Sequence, residues 1–300
     1  MGYAELFERN LGIYSREEQD RIRNGRVVIA GCGGIGGTTA IILARSGVGH
    51  FVLLDPQEYE PTNMNRQIDC FANTCGASKA KCIADDIAQI NPEADVTLHS
   101  RGIEIEDVPL LLDQADVFLP AMDSWPLSLT ILEIARKTKP TIMSYPVGAL
   151  GRTCVFTADS PTVAECLAMP YGYGYEQLQE YTKRPAARRL SQYYMTEGAW
   201  TQEWFDGWVE GRVSHSQICT IVWATAALSA LEVVKLLSGK WEPVVAPRYW
   251  HITPHGAAIK KFGLGRRLIS RLSRREWVQR QFPRLTASPA LLRVFTRLLA

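Results

Sequence analysis

The chain has 300 residues, 46% of them hydrophobic and 21% charged, with a formal net charge of +2. An apolar fraction near one half is ordinary for a globular chain, so a sizeable core is available, in one large α/β domain or two small ones. The seven cysteines are scattered and include no C-x-x-C pair, which excludes a disulfide scaffold and suits a reducing, cytoplasmic setting.

Met1 to Asn10 lacks the basic-then-apolar pattern of a secretory signal, so no export is expected. The small net charge hides an asymmetry. Residues 260–300 hold eleven Lys/Arg and one acid, Glu276, leaving twenty-two basic and thirty acidic residues before them. An acidic body thus carries a strongly basic tail.

In chain order, Tyr3 to Asn24 reads as a polar amphipathic start. Ser15-Arg16-Glu17-Glu18 has the pattern of an N-cap with a capping box and predicts a helix over 16–23. Arg9, within Phe7-Glu8-Arg9-Asn10, reads by itself as a solvated charge. Arg26 to Ala30 is a short apolar run, read as a buried strand. The turn Gly31-Cys32-Gly33-Gly34-Ile35-Gly36-Gly37 follows, and a helix is predicted over 38–46. Strand, glycine turn and helix start form a phosphate cradle. The glycines Gly31, Gly33, Gly34 and Gly36 admit an anion close to the backbone, and the helix N-terminus supplies free N–H groups. Such a turn serves NAD, FAD, SAM and ATP alike.

Gly49 to Asp55 is the second strand. Asp55 closes it roughly twenty residues beyond the glycine turn, where an acid accepts hydrogen bonds from ribose hydroxyls. To this point an NAD-dependent oxidoreductase fits equally well. Glu60 to Ile68 changes the balance: it holds Asn63, Asn65 and Arg66, and a guanidinium here suits phosphate oxygens rather than nicotinamide. Gly76-Ala77-Ser78-Lys79 opens a helix running to Ile90. A lysine in its first turn opposes the helix dipole, and an anion facing that end would compensate.

Strands are predicted over 95–99, 115–120 and 141–145, with helices over 104–112 and 127–138. Asp123 follows the fourth strand at its carboxyl end, where a carboxylate can hold Mg²⁺ together with phosphate oxygens. Residues 148–157 read as a strand with Cys154 inward. Residues 160–211 are rich in Tyr, Pro, Gly and Trp with little periodicity, the pattern of a lid or binding surface. Residues 216–237 read as an apolar core helix rather than a membrane span, because Thr220, Thr225, Ser229, Glu232 and Lys235 interrupt it. Residues 248–252 read as a final strand. This places the domain at 1–258, with an insert at about 160–211. Residues 259–300 form a basic tail of partly helical spacing, with Leu268, Leu272, Trp277 and Leu291 among its apolar positions. It packs on the body or contacts RNA, an acidic protein or a membrane surface.

Taken together, residues 5 to about 157 resemble the ubiquitin-activating-enzyme superfamily in its bacterial MoeB/ThiF/HesA branch. The resemblance rests on the glycine loop, Ala44 to Gly49, Leu53-Leu54-Asp55, Asn63-Met64-Asn65-Arg66-Gln67, Gly76-Ala77-Ser78-Lys79, Ile90-Asn91-Pro92 and Asp123. It implies a Rossmann-like, doubly wound and mostly parallel sheet with helices on both faces. It also implies ATP-dependent adenylation of a carboxylate in a homodimer. Asp55 would hold the ribose, Arg66 and Lys79 the phosphates, Asp123 the Mg²⁺, and Asn63 would orient the metal or a phosphate oxygen. Arg9 stands where the family has an arginine that reaches into its neighbour's site.

Many relatives bind structural zinc through two C-x-x-C pairs; this chain has none, and no such zinc is expected. A metal cluster at Cys70, Cys75 and Cys82 has the wrong spacing. If a thiol captures the acyl adenylate, Cys166 and Cys219 are the candidates. The carboxylate would belong to a small molecule, a peptide, a tRNA or the C-terminus of a ubiquitin-like protein. An NAD-dependent oxidoreductase and a non-catalytic dimeric scaffold of the same fold stand as alternatives.

Overall fold

The computed structural model describes residues 2–184, 187, 201–273 and 275. Helix α1 (Tyr3–Leu6) and a 3-10 turn (Glu8–Asn10) precede α2 (Arg16–Asn24), β1 (Arg26–Ala30), α3 (Gly36–Arg45) and β2 (His50–Leu54). Then come α4 (Lys79–Ile90), β3 (Asp95–His99), α5 (Val108–Asp113), β4 (Val117–Pro120) and α6 (Trp125–Ala135). A hairpin of β5 (Thr141–Val147) and β6 (Leu150–Phe156) leads to the short helices α7 (Val163–Leu167), α8 (Tyr175–Lys183) and α9 (Gln202–Val209). The long helix α10 (Cys219–Ser238), strands β7 (Arg248–Thr253) and β8 (Gly256–Lys261), and α11 (Leu264–Leu272) complete the described chain.

The eight strands form one sheet in the order β3-β2-β1-β4-β5-β6-β7-β8. The first five run parallel, and β6, β7 and β8 add on antiparallel. Alternation along each strand feeds two layers. Val27, Ile29, Phe51 and Leu53 face α3, α4 and α10, whereas Val28, Ala30, Val52 and Leu54 face α5 and α6. Both faces are therefore apolar, which is why the first strands read as continuous hydrophobic runs.

The order places β1 between β2 and β4, so successive connections leave β1 in opposite directions. Ala30 pairs with Pro120, and Ala121 N–H donates to Ala30 O at 2.7 Å. The glycine turn and the loop of Asp123 thus leave the sheet side by side, at the kind of switch point where open α/β sheets bind ligands.

Some helix starts shift by two residues from the sequence expectation. The capping box of α2 forms as expected: Glu18 N–H donates to Ser15 Oγ at 3.2 Å, and Ser15 N–H to Glu18 Oε2 at 2.8 Å. Helix α3 starts at Gly36 instead of Thr38, and α6 at Trp125 instead of Leu127, with Pro126 tolerated in the first turn. The insert is not structureless where described, since α7, α8 and α9 bury apolar residues in it.

Residues 248–252 are not the final strand, because β8 follows. Its six residues are all exposed and carry no apolar signature to read. The boundary set at 258 falls inside β8, so the first part of the tail belongs to the body. Helix α11 docks there through Arg271 Nη2 to Glu165 Oε1 at 2.9 Å and Tyr171 N–H to Ser270 O at 3.0 Å. The rest of the expected tail helices, with Trp277 and Leu291, lies outside the described residues.

Helix α10 is long and apolar enough by composition to cross a membrane, yet here it lies across the sheet. Its polar groups are satisfied within the fold. Ser229 Oγ lies 3.0 Å from Thr153 Oγ1 and 2.9 Å from Ser144 Oγ. Glu232 accepts from Val244 N–H and Trp250 Nε1, each at 2.7 Å, and pairs with Lys235 at 2.6 Å. Pairing of this kind is what makes a buried carboxylate tolerable. Cys154 points inward and is fully buried.

Candidate nucleotide-binding site

The glycine turn is held by close backbone contacts. Gly31 has φ +98°, and a Cβ there would lie 2.5 Å from Ala121 O; one on Gly36 would lie 1.8 Å from Gly31 O. Real Cβ atoms do not approach so closely, so these positions demand glycine. Gly34 is crowded by Val222, whose Cγ1 would be 2.9 Å from an added Cβ. Gly33 differs: the nearest atom to its hypothetical Cβ is Gln67 Nε2 at 3.5 Å. The fold leaves room there, on the side where an anion approaches the backbone. Two buried atoms beside the turn, Thr38 Oγ1 and Gln67 Oε1, have no hydrogen-bond partner among the described residues.

Asp55 is buried at the end of β2 and both its oxygens are engaged. Oδ2 accepts Cys32 N–H at 2.7 Å, and Oδ1 accepts Gln57 N–H at 2.8 Å. Each carboxylate oxygen keeps a further lone pair that can accept another donor. The carboxylate also ties the glycine turn to the next loop. Cys32 is buried, and burial followed by the Asp55 charge pushes its thiol far up, so it is inert.

Lys79 is 5% exposed. Its Nζ donates to Gln57 Oε1 at 2.9 Å, and among the described residues it forms no ion pair. Ser78 caps the helix at this point, accepting Lys81 N–H. A buried cation with a neutral amide for a partner is costly unless an anion joins it. Gln57 and Asp55 link Lys79 by hydrogen bonds to Cys32 in the glycine turn.

Asn63 is buried, and its Oδ1 accepts Glu60 N–H at 3.2 Å. Arg66 is half-buried and folds back on its own loop, donating to Thr62 O at 3.1 Å and Asn65 Oδ1 at 2.8 Å. Asp123 is exposed at the mouth. His215, not read from the sequence as a site residue, comes close enough to Asp123 and Arg66 to feel both charges. Its residue surface is exposed, but the atoms crowding the ring hold its pKa below the ordinary value. Asp123 opposes that shift and Arg66 adds to it. The segment carrying it is pinned by Gly148 N–H to Ser216 O at 2.9 Å and Asn65 Nδ2 to Gln217 O at 3.0 Å.

The first turns of α10 complete this side, with Trp223 Nε1 donating to Arg66 O at 2.9 Å. Met64, Ile218 and Trp223 are exposed next to these contacts, at 44%, 45% and 40%. Gln57, His215 and Trp223 had no signal in the sequence, because each gains meaning only from a distant partner.

One expectation is changed by these contacts. Cys166 is buried in the apolar cluster of α6, α7 and α8, and burial followed by Glu165 pushes its thiol up to about 12. It is no accessible acyl acceptor. Cys219 is half-exposed at the first position of α10, so it alone of the pair stays accessible. Arg9 is exposed and far from the glycine turn within its own chain. Asn10 Nδ2 ties its segment to Ser46 O at 3.2 Å, at the opposite end of α3, about 15 Å away for ten helical residues. An apolar cavity of about 220 Å³ opens elsewhere, lined by Leu129, Ile134, Val163, Met169 and Tyr173. It lacks the cationic donors that a phosphate requires.

A sequence model of one family, described as the ThiF family, matches residues 7–267. The chain is 27% identical over 158 residues to a tRNA threonylcarbamoyladenosine dehydratase of Haemophilus influenzae, covering 51% of this chain and 60% of that protein. It is 31% identical over 144 residues to the probable adenylyltransferase/sulfurtransferase MoeZ of Mycobacterium tuberculosis, covering 48% and 37%. The matched stretches span between about a third and three fifths of these curated relatives. Among solved structures, Escherichia coli MccB with MccA-N7isoASN aligns with a TM-score of 0.66 at 21% identity, covering 87% of this chain and 72% of that one. MccB with ATP aligns with a TM-score of 0.62 at 22% identity, covering 85% and 70%. These two likenesses show a shared fold.

Proposed function

The chain belongs to the ThiF family, and from that premise we propose that it is an ATP-dependent adenylyltransferase, forming an acyl-AMP from a substrate carboxylate and releasing pyrophosphate. The observation that carries this reading is Lys79: a buried cation, without an ion pair among the described residues, beside a glycine turn whose Gly33 leaves space for an anion. The relatives reported above lend the oxidoreductase alternative no support.

In the proposed reaction an oxygen of the carboxylate attacks the α-phosphorus of ATP, and the bond from that phosphorus to the bridging oxygen of pyrophosphate breaks. Two anions meet while charge builds on the leaving group, so fixed cations are the main catalytic requirement. Backbone N–H groups of the turn and the N-terminus of α3 face the phosphates. Lys79 neutralises phosphate charge, and Arg66 swings from Thr62 O and Asn65 to bind a phosphate in bidentate fashion. Asp55 receives the ribose. A magnesium ion fits the donor set, since Asp123 is one exposed carboxylate beside the phosphate path and Mg²⁺ uses one or two carboxylates plus phosphate oxygens. Bound there, it would neutralise the developing charge on the phosphates. No structural zinc is proposed, as the sequence lacks C-x-x-C pairs.

The proposed substrate is a carboxylate at the end of an extended chain such as a peptide. The exposed Met64, Ile218 and Trp223 beside Arg66 support it, offering apolar contact around a charged mouth. MccB has been solved with MccA, which agrees with a substrate larger than a metabolite. The proposed assembly is a homodimer in which Arg9 serves the neighbour's site. Its distance from its own glycine turn, and its lack of any partner among the described residues, support that role. A cytoplasmic location is supported by seven cysteines, all of them free thiols.

ATP–pyrophosphate exchange with a panel of peptides and small carboxylates tests the reading. Exchange abolished by Asp123→Ala or Arg66→Ala is the expected result. Exchange that persists in both variants overturns the site assignment, and tight NAD binding without ATP binding overturns the function.

A further inference from the structure

Helix α11 is held to the body by one side. Ile269 and Ser270 are buried, as is Phe262 just before the helix. Tyr171 N–H donates to Ser270 O at 3.0 Å, and Phe262 N–H donates to Pro247 O at 2.8 Å. The outward side is not the polar face of a solvated helix. Leu264 is 78% exposed and Leu268 60% exposed. Arg267 and Arg271 are exposed beside them. These four positions stand three and four residues apart, so they share one helical face.

The surroundings carry one sign of charge. Residues 256–275 hold seven Lys/Arg and no Asp or Glu. Lys260 and Lys261 of β8 are exposed and form no ion pair among the described residues. Ile259, next to them, is 49% exposed. The acid that reaches α11 is Glu165, buried in α7. Its Oε1 lies 2.9 Å from Arg271 Nη2 and 3.6 Å from Arg267 Nε. One buried carboxylate shared by two arginines leaves this face basic.

We propose that the outer face of α11, with the lysines of β8, is a peripheral docking surface for an anionic lipid bilayer. The occupant follows from the two features together. Exposed leucines are stabilised by entering the boundary between headgroups and acyl chains, and cations beside them meet anionic headgroups. The apolar stems of Arg and Lys let their charges stay at headgroup level while the leucines go deeper. RNA matches the charge but offers no apolar phase to Leu264 and Leu268. The helix lies in the plane of the interface, with Ile269 and Ser270 still turned to the body. This docking is independent of the nucleotide reading.

The test is co-sedimentation of the full chain with two kinds of vesicle, phosphatidylcholine alone and phosphatidylcholine mixed with phosphatidylglycerol. Binding to the mixed vesicles is expected, weaker on phosphatidylcholine alone and weaker again as salt screens the charges. Leu264→Gln with Leu268→Gln should lower the partition coefficient by about tenfold or more. Lys260→Gln with Lys261→Gln should lower it by about fivefold per lysine. All four side chains are exposed, so thermal unfolding of both variants should match the wild type. A full chain that stays in the supernatant with the mixed vesicles overturns the proposal. Binding that the leucine pair leaves unchanged also overturns it, and assigns the contact to residues outside α11. Binding of RNA in an electrophoretic shift, with none to vesicles, overturns it in favour of nucleic acid.

Discussion

Lys79 Nζ donates to Gln57 Oε1 at 2.9 Å, so a buried cation at the start of one helix is held by a neutral amide from the loop after β2. The backbone N–H of the same Gln57 is bound by Asp55 at 2.8 Å, and Asp55 binds Cys32 in the glycine turn. Asp55, the glycine turn, Gln57 and Lys79 are therefore one hydrogen-bonded unit.

Replacing Lys79 separates binding from folding. Lys79→Met removes a costly buried charge and is expected to leave stability unchanged or raise it. ATP affinity should fall by roughly 10- to 150-fold, the equivalent of about 1.5–3 kcal/mol for a charge-assisted hydrogen bond. Denaturant unfolding and calorimetry measure the two effects. A loss of stability with unchanged ATP affinity would make Lys79 a structural residue.

The glycines should divide by their surroundings. Gly33→Ala meets nothing closer than 3.5 Å, so the fold should stand while nucleotide affinity drops, because the methyl group occupies the anion's approach. Gly36→Ala would drive its Cβ to 1.8 Å from Gly31 O and should lower stability by about 3 kcal/mol or more. Thermal unfolding of the two variants, with and without ATP, distinguishes them.

Asp55→Ala should lower both stability and ATP affinity. It leaves the buried N–H of Cys32 without its acceptor, at a cost of about 1–3 kcal/mol. The check is the same pair of measurements, and a variant as stable as the wild type would contradict the tying role.

Stability should depend on pH through Asp69. Burial, and then the nearby Asp86 carboxylate, raise its pKa from 3.8 to about 7. Between those values the folded state keeps a proton that the unfolded chain has lost. This contribution to stability is fully present below about 3.8 and is lost as pH rises through 7. Comparing wild type with Asp69→Asn by denaturant unfolding from pH 5 to 8 isolates it. The wild type should lose stability relative to the variant as pH rises, at up to about 1.4 kcal/mol per pH unit for one proton. Parallel curves would show that the pair does not hold that proton.

Arg9 should act across the dimer. Arg9→Ala and Lys79→Met should each lack pyrophosphate exchange. Mixing them should restore about a quarter of the wild-type sites, because half of the dimers are mixed and each of those holds one intact site. No recovery in verified mixed dimers would sink the trans assignment.

The sequence by itself determined the first five strands, the glycine turn and the order of Asp55, Arg66, Lys79 and Asp123. These signals are local: a strand buried on both faces is apolar throughout, and a phosphate turn needs glycine at set intervals. It mislaid β8, whose exposed residues carry no hydrophobic pattern, and the short helices α7 and α8 of the insert, which are buried against α6 and α11.

Only the tertiary structure decided which groups meet. It buried Cys166 and left Cys219 half-exposed, set Arg9 at the far end of α3, and brought Trp223 to Arg66 and Gln57 to Lys79. Each of these depends on contacts between residues far apart in the chain. Such contacts are fixed by how the layers pack and not by the spacing of residue types along one element.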